Sequence, residues 1–264
     1  MVYFNNLSLE TLVNSRYLSY IAFWQLFYKE TNMLDDMQVL GREGALDQKL
    51  ATQNKVLRNT YALLGLTMIP TVIGALVGMK MNFAYAAAHP FIFAIGAMAV
   101  IYGLFAAINA NRNSSIGVVL LLGLTFLLGL MLGPILQHAL NLNNGGQIVG
   151  LAAGGTGVIL MTMAGIATTT KKDFSFMGKF LLVGIILLIV ASLANIFLQI
   201  PAMQLALSGV GVLLFSGFIL YDVSRIVTGG ETNYVMATLG LYMSIYNLFT
   251  SLLHLLMGLM GSND

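Results

Sequence analysis

From residue 61 onward the chain is a succession of long apolar runs divided by short polar breaks. A bilayer core of roughly 30 Å needs about 20 mostly apolar residues per helix. Seven runs meet that length: 61–79, 90–109, 116–137, 148–168, 180–199, 203–221 and 235–260. The breaks at 111–115, 141–146, 171–175, 200–201 and 229–233 carry Asn, Gly, Pro and Lys, the residues of turns. In lipid only helices or closed barrels satisfy the backbone, and these runs are too long and too uniformly apolar for barrel strands. The pattern predicts an all-α, polytopic membrane bundle of seven transmembrane helices over residues 58–264, preceded by a polar N-terminal segment, 1–57.

Within that segment the stretch 17–28 (YLSYIAFWQLFY) is too short to span and has the aromatics of an interfacial helix. It lacks the basic leader and small-residue cleavage site of a signal peptide. The alternative reading is that residues 1–32 are a start-site extension, since Met33 and Met37 could each begin the chain instead of Met1. Residues 33–55 read as a mobile polar tail.

Composition agrees with this division. The 264 residues are 58% apolar and only 8% charged, against about 25% charged in soluble domains. The net charge of +2 leaves no nucleic-acid footprint. Zero cysteines exclude disulfides, thiolate metal sites and a cysteine nucleophile.

Charge position sets orientation. Lys49, Lys55, Arg58, Arg112, Lys171, Lys172, Lys179 and Arg225 fall in breaks on the N-terminal side of the membrane, and only Lys80 on the other. The positive-inside rule then predicts a cytoplasmic N-terminus and an external C-terminus.

Candidate chemistry is sparse. In the seventh run Gly240, Ser244, Asn247, Ser251, His254 and Gly258 alternate at spacings of four and three, which puts them on one helical face. Such a face is expected to look into the bundle, either lining a polar cavity or ion path or packing closely against another helix. Gly184, Leu188, Ser192, Asn195 and Gln199 form a comparable face in the fifth run, with Asn195 expected to find a partner inside the bundle. Gly74/Gly78, Gly129/Gly133 and Gly150/Gly154 are small-xxx-small pairs that specify close packing.

Asp222 ends the sixth apolar run near the membrane edge, so it must be paired, protonated or wetted. Two readings stand: a local ion pair with Arg225, three residues on, or a titratable gate. Glu231 is expected to be a solvated loop acid capping the seventh helix. His89 and His138 have no second ligand at helical spacing and read as interfacial histidines. His254 could titrate or simply pack. No metal site and no cofactor are called. HExxH, GxSxG, P-loop and strand-borne GxGxxG motifs are absent, so no catalytic residue is assigned and the chain reads as a non-enzyme.

Six ordered blocks resemble one family: residues 55–61 (KVLRNTY), 132–136 (LGPIL), 170–176 (TKKDFSF), 194–202 (ANIFLQIPA), 229–234 (GGETNY) and 241–249 (LYMSIYNLF). Together they resemble the Bax inhibitor-1 family in its bacterial YccA-like branch, over about residues 50–264. The resemblance implies a seven-helix bundle with the last helix at its centre. It also implies two activities. One is a pH-sensitive leak for Ca2+ or H+, gated by two aspartates that share a proton; Asp222 matches one, but Ser244 stands at the other position. The second, found in YccA-like members, is modulation of the FtsH-type membrane AAA protease. The chain is therefore expected to be a multi-pass protein of the bacterial inner membrane that restrains FtsH-type proteolysis, with the leak as the alternative.

Overall fold

The computed structural model describes residues 29, 48, 50–84 and 88–261. The interfacial stretch 17–28, the alternative starts Met33 and Met37, and the C-terminal Asp264 lie outside the described residues. The chain divides into two compact units, Met1–Ala51 and Thr52–Asp264, and the bundle is the second.

Seven helices are long and apolar enough to cross a membrane, and no strand occurs among the described residues. We number the elements α1 (Leu50–Gly78), α2 (Pro90–Ala110), α3 (Ser115–Met131), α4 (Gly133–Leu140), α5 (Gly145–Thr170), α6 (Met177–Leu198), α7 (Pro201–Thr228) and α8 (Tyr234–Met260). Proline near the first turn opens α2, α4 and α7, where its missing N–H is no loss and its fixed φ suits a helix. Left-handed residues close α5, α6 and α7: Lys171, Gln199 and Gly229.

Two boundaries differ from those expected. Among the described residues α1 is already helical at Leu50, well before residue 61. Gln53 and Lys55 thus belong to a helix rather than to a tail, because a helix continues past the membrane edge where hydropathy no longer marks it. The expected third run is broken at Leu132 into α3 and α4. Pro134 explains the break, since its ring clashes with a carbonyl one turn back and it donates no hydrogen bond. Gln137 then fastens α4 to the end of α1, its Nε2 donating to the Met79 carbonyl at 2.6 Å.

Helix α8 is the central element. It packs against α2, α3, α5 and α7, and its Thr238, Leu241, Tyr242, Ser244, Leu248 and Leu253 are buried. Tyr242 shares a 2.8 Å hydrogen bond with Thr71 of α1, and Tyr246 donates to the Leu128 carbonyl of α3 at 3.2 Å. At the lipid-facing periphery, α6 exposes Phe180 at 78% and Phe197 at 73%, as a helix surrounded by acyl chains does.

The glycine pairs at 74/78 and 129/133 interlock. A Cβ at Gly74 would fall on the backbone of Phe126, and one at Gly78 on Leu130. One at Gly129 would fall on Thr71, and one at Gly133 on Gly78 itself. These are backbone-to-backbone approaches that only glycine permits. The pair Gly150/Gly154 does not behave this way: both residues are exposed with nothing within 4 Å of an added Cβ, so the expected packing role fails there.

Candidate functional site

The polar stripe of α8 faces α7 along almost its whole length. Ser244 donates to Asp222 Oδ2 at 2.7 Å and also lies 3.1 Å from the Gly240 carbonyl. The absence of a side chain at Gly240 lets the carboxylate lie against the α8 backbone, with Asp222 Oδ1 3.6 Å from where a Cβ would be. Further along, Gly211 of α7 sits beneath Ser251, whose Oγ is 2.6 Å from the Cβ position. Gly258 admits the side chain of Leu205. Antiparallel helices are thus fitted small residue to large at successive levels, which is the close-packing geometry expected of such a stripe. Asn247 turns its amide onto its own helix, donating to the Met243 carbonyl at 2.8 Å.

The expected ion pair between Asp222 and Arg225 is not formed. Arg225 instead reaches Glu231 at 3.5 Å, the only salt bridge among the described residues, and its guanidinium lies 5.6 Å from the Tyr221 ring centroid. The reason is geometric: Asp222 points at α8, whereas the chain turns at Gly229 (φ 83°) and brings Glu231 back beneath Arg225. Glu231 is not the helix cap either. It accepts from the Asn233 amide at 3.0 Å. Asn233 is the cap, its Oδ1 accepting from the amides of Val235 and Met236. Its Nδ2 ties α8 to the α2–α3 break through the Arg112 carbonyl and Asn113.

Ser224 is a residue that sequence reasoning passed over. Fully buried, it accepts from the Phe174 amide at 2.9 Å and donates to the Lys172 carbonyl at 3.0 Å, clamping the α5–α6 loop to α7. In that loop Asp173 is fully exposed, and hydrogen bonds from Ser175 hold its carboxyl below the usual range. Arg112, Lys171, Lys172, Arg225 and Glu231 are therefore gathered at one end of the bundle, together with the start of α1, where Val56 packs on Ile226 and Ala237.

Asn195 does not reach across the bundle to α8. It is 7% exposed and serves its own turn: Oδ1 accepts from the Ile200 amide at 3.1 Å and Nδ2 donates to Gln204 at 3.4 Å. Of its presumed face, Gly184 packs on Leu214 of α7, while Ser192 is exposed. His254 lies at the other end of α8, exposed rather than enclosed, with Nδ1 2.9 Å from the Thr250 carbonyl. It lines a cavity together with His138, so two histidines without a partner at helical spacing come together in space.

This arrangement can be set beside known proteins. A family profile described as inhibitor of apoptosis-promoting Bax1 matches residues 53–262. The chain belongs to this family. An uncharacterized membrane protein of Vibrio cholerae is 43% identical over 223 residues, covering 84% of this chain and 97% of its own. An Escherichia coli K12 protein named modulator of FtsH protease YccA is 40% identical over 207 residues, covering 78% of this chain and 91% of its own. The same figures hold for a protein of another Escherichia coli strain named inner membrane protein YccA. The chain is thus a multi-pass, YccA-like membrane protein of the Bax inhibitor-1 type, and the matched region contains all eight helices except the first three residues of α1.

Proposed function

We propose that this protein is a bacterial inner-membrane modulator of an FtsH-type membrane protease, with no catalysis of its own. The observation that carries the reading is the 40% identity, over nearly the whole of its length, to a protein named for that activity. The bundle's construction suits it. Interlocked glycine backbones and buried tyrosine hydroxyls resist extraction, and the polar segment ahead of α1 offers a pulling motor its handle. On this reading the end that carries the basic residues, and the N-terminus with it, faces the cytoplasm, which the positive-inside rule supports.

The test is removal of residues 1–49, which keeps the whole apolar run of α1. The truncated chain is expected to remain in the membrane but to lose co-purification with the protease and to stop slowing degradation of other membrane substrates. Unchanged co-purification and turnover would overturn the reading.

A second reading rests on one observation: Asp222 lies between two membrane helices, with no cation within salt-bridge distance among the described residues. On this reading Asp222 and Ser244 gate a leak for Ca2+ or H+. Neutral oxygens beside one carboxylate make a weak calcium site, which favours the first proposal. In proteoliposomes the leak would appear as flux above that of empty liposomes, altered in Asp222→Asn. Flux no greater than that of empty liposomes removes this reading.

A further inference from the structure

The end of the bundle away from the Lys171–Lys172 loop holds a cavity of about 490 Å³. Three helices build it: α4 contributes His138, α7 contributes Gln204, and α8 contributes His254 and Met257, between the apolar walls of Pro134 and Pro201. His138 reaches it from the last turn of α4.

The ring of His254 is already oriented. A carbonyl oxygen can only accept, so the 2.9 Å contact with Thr250 fixes the hydrogen on Nδ1 and leaves the lone pair on Nε2. Histidines that bind metals are commonly held this way, with the second ring nitrogen donating to a backbone carbonyl. Met257 follows three residues later, on the same helical face, and lines the same cavity. The Gln204 amide oxygen is engaged by Asn195 in the α6–α7 turn.

The donors left to the cavity are two imidazoles and a thioether, with no carboxylate or thiolate among them. No acid lines it, and no group of three His, Asp or Glu among the described residues could hold a metal. Ca2+ and Mg2+ require hard, mostly anionic oxygens. Structural zinc is held by a complete set of four, with thiolates or carboxylates among its usual ligands. A neutral nitrogen and sulfur set in an apolar cleft suits a soft monovalent ion, cuprous copper. We propose that this cavity binds one Cu(I) ion through His138, His254 and Met257.

The test uses the full chain, carrying a histidine-free tag, purified in detergent and titrated anaerobically against the Cu(I)–bicinchoninate complex. The wild type is expected to withdraw about one equivalent of copper, and His138→Ala/His254→Ala to bind at least about tenfold more weakly, as loss of ligand-shell groups does. Asp222→Asn, far from the cavity, should bind as the wild type. Both histidines are exposed, so the double variant should melt at the wild-type temperature. X-ray absorption of the copper-loaded protein should show a sulfur shell that Met257→Leu removes. The proposal is overturned if the wild type withdraws no copper, if the double variant withdraws as much, if Zn(II) binds as tightly as Cu(I), or if no sulfur shell is present.

Discussion

The two ends of the α7–α8 pair are built on opposite principles. At the Asp222 end the polar side chains between the helices are mostly given partners. Ser244 holds the carboxylate, Glu231 holds Arg225, Asn233 caps α8, and Ser224 clamps the α5–α6 loop. At the His254 end α4, α7 and α8 border an open cavity, and two histidines line it with only a local hydrogen bond on one of them. The first end is made to hold together, and the second is left able to accept something. A polar group in a membrane bundle is costly unless satisfied, so where it sits unsealed at a wet edge it is free for binding.

This contrast can be broken at several points. The largest effect is expected from Gly211→Leu, which drives a side chain into Ser251 and forces α7 off α8. A loss of about 3 kcal/mol, as overpacking gives, should be seen by unfolding in detergent. Ser244→Asp would set two carboxylates against each other. That variant should melt below Ser244→Asn, which brings no second carboxylate; equal melting temperatures would mean that the carboxylates do not meet. Ser244→Ala removes the hydroxyl from a carboxylate and should destabilise by about 1–2 kcal/mol. Arg225→Ala breaks an ion pair whose side chains are 36% and 22% exposed, so the loss should be under about 1 kcal/mol and should shrink with salt.

The smallest effect concerns the exposed loop. Ser175→Ala should raise the Asp173 carboxyl toward its ordinary range, readable by NMR titration. The sign follows from the depressed folded-state value. The contribution of Asp173 is present above the unfolded carboxyl range and fades as pH falls through the folded one. The variant should therefore lose its acid sensitivity in that window.

Much of the architecture was legible because lipid imposes it. Seven apolar runs had to be helices, and the stripe on the last one had to face inward. The glycines at 74, 78, 129 and 133 could be read as packing residues, but not that they pack on one another, since the pattern at 150 and 154 is the same and packs on nothing. Tyr242 and Tyr246 look like ordinary apolar core in sequence. Their spacing of four was the available signal that two hydroxyls would leave α8 on one side. Ser224 gave none, because its partners are backbone groups of a loop fifty residues away.

By itself the sequence determined the fold class, the family and the central place of the last helix, because hydropathy and ordered motifs survive without coordinates. Only the tertiary structure decided who meets whom. Asp222 and Arg225 are near in sequence yet separate, since one looks at α8 and the other is recaptured by the turn at Gly229. His138 and His254 are far apart in sequence yet share a cavity, since the last turn of α4 and the end of α8 both border it. Periodicity fixes the face a side chain occupies. Helix packing fixes what stands opposite it.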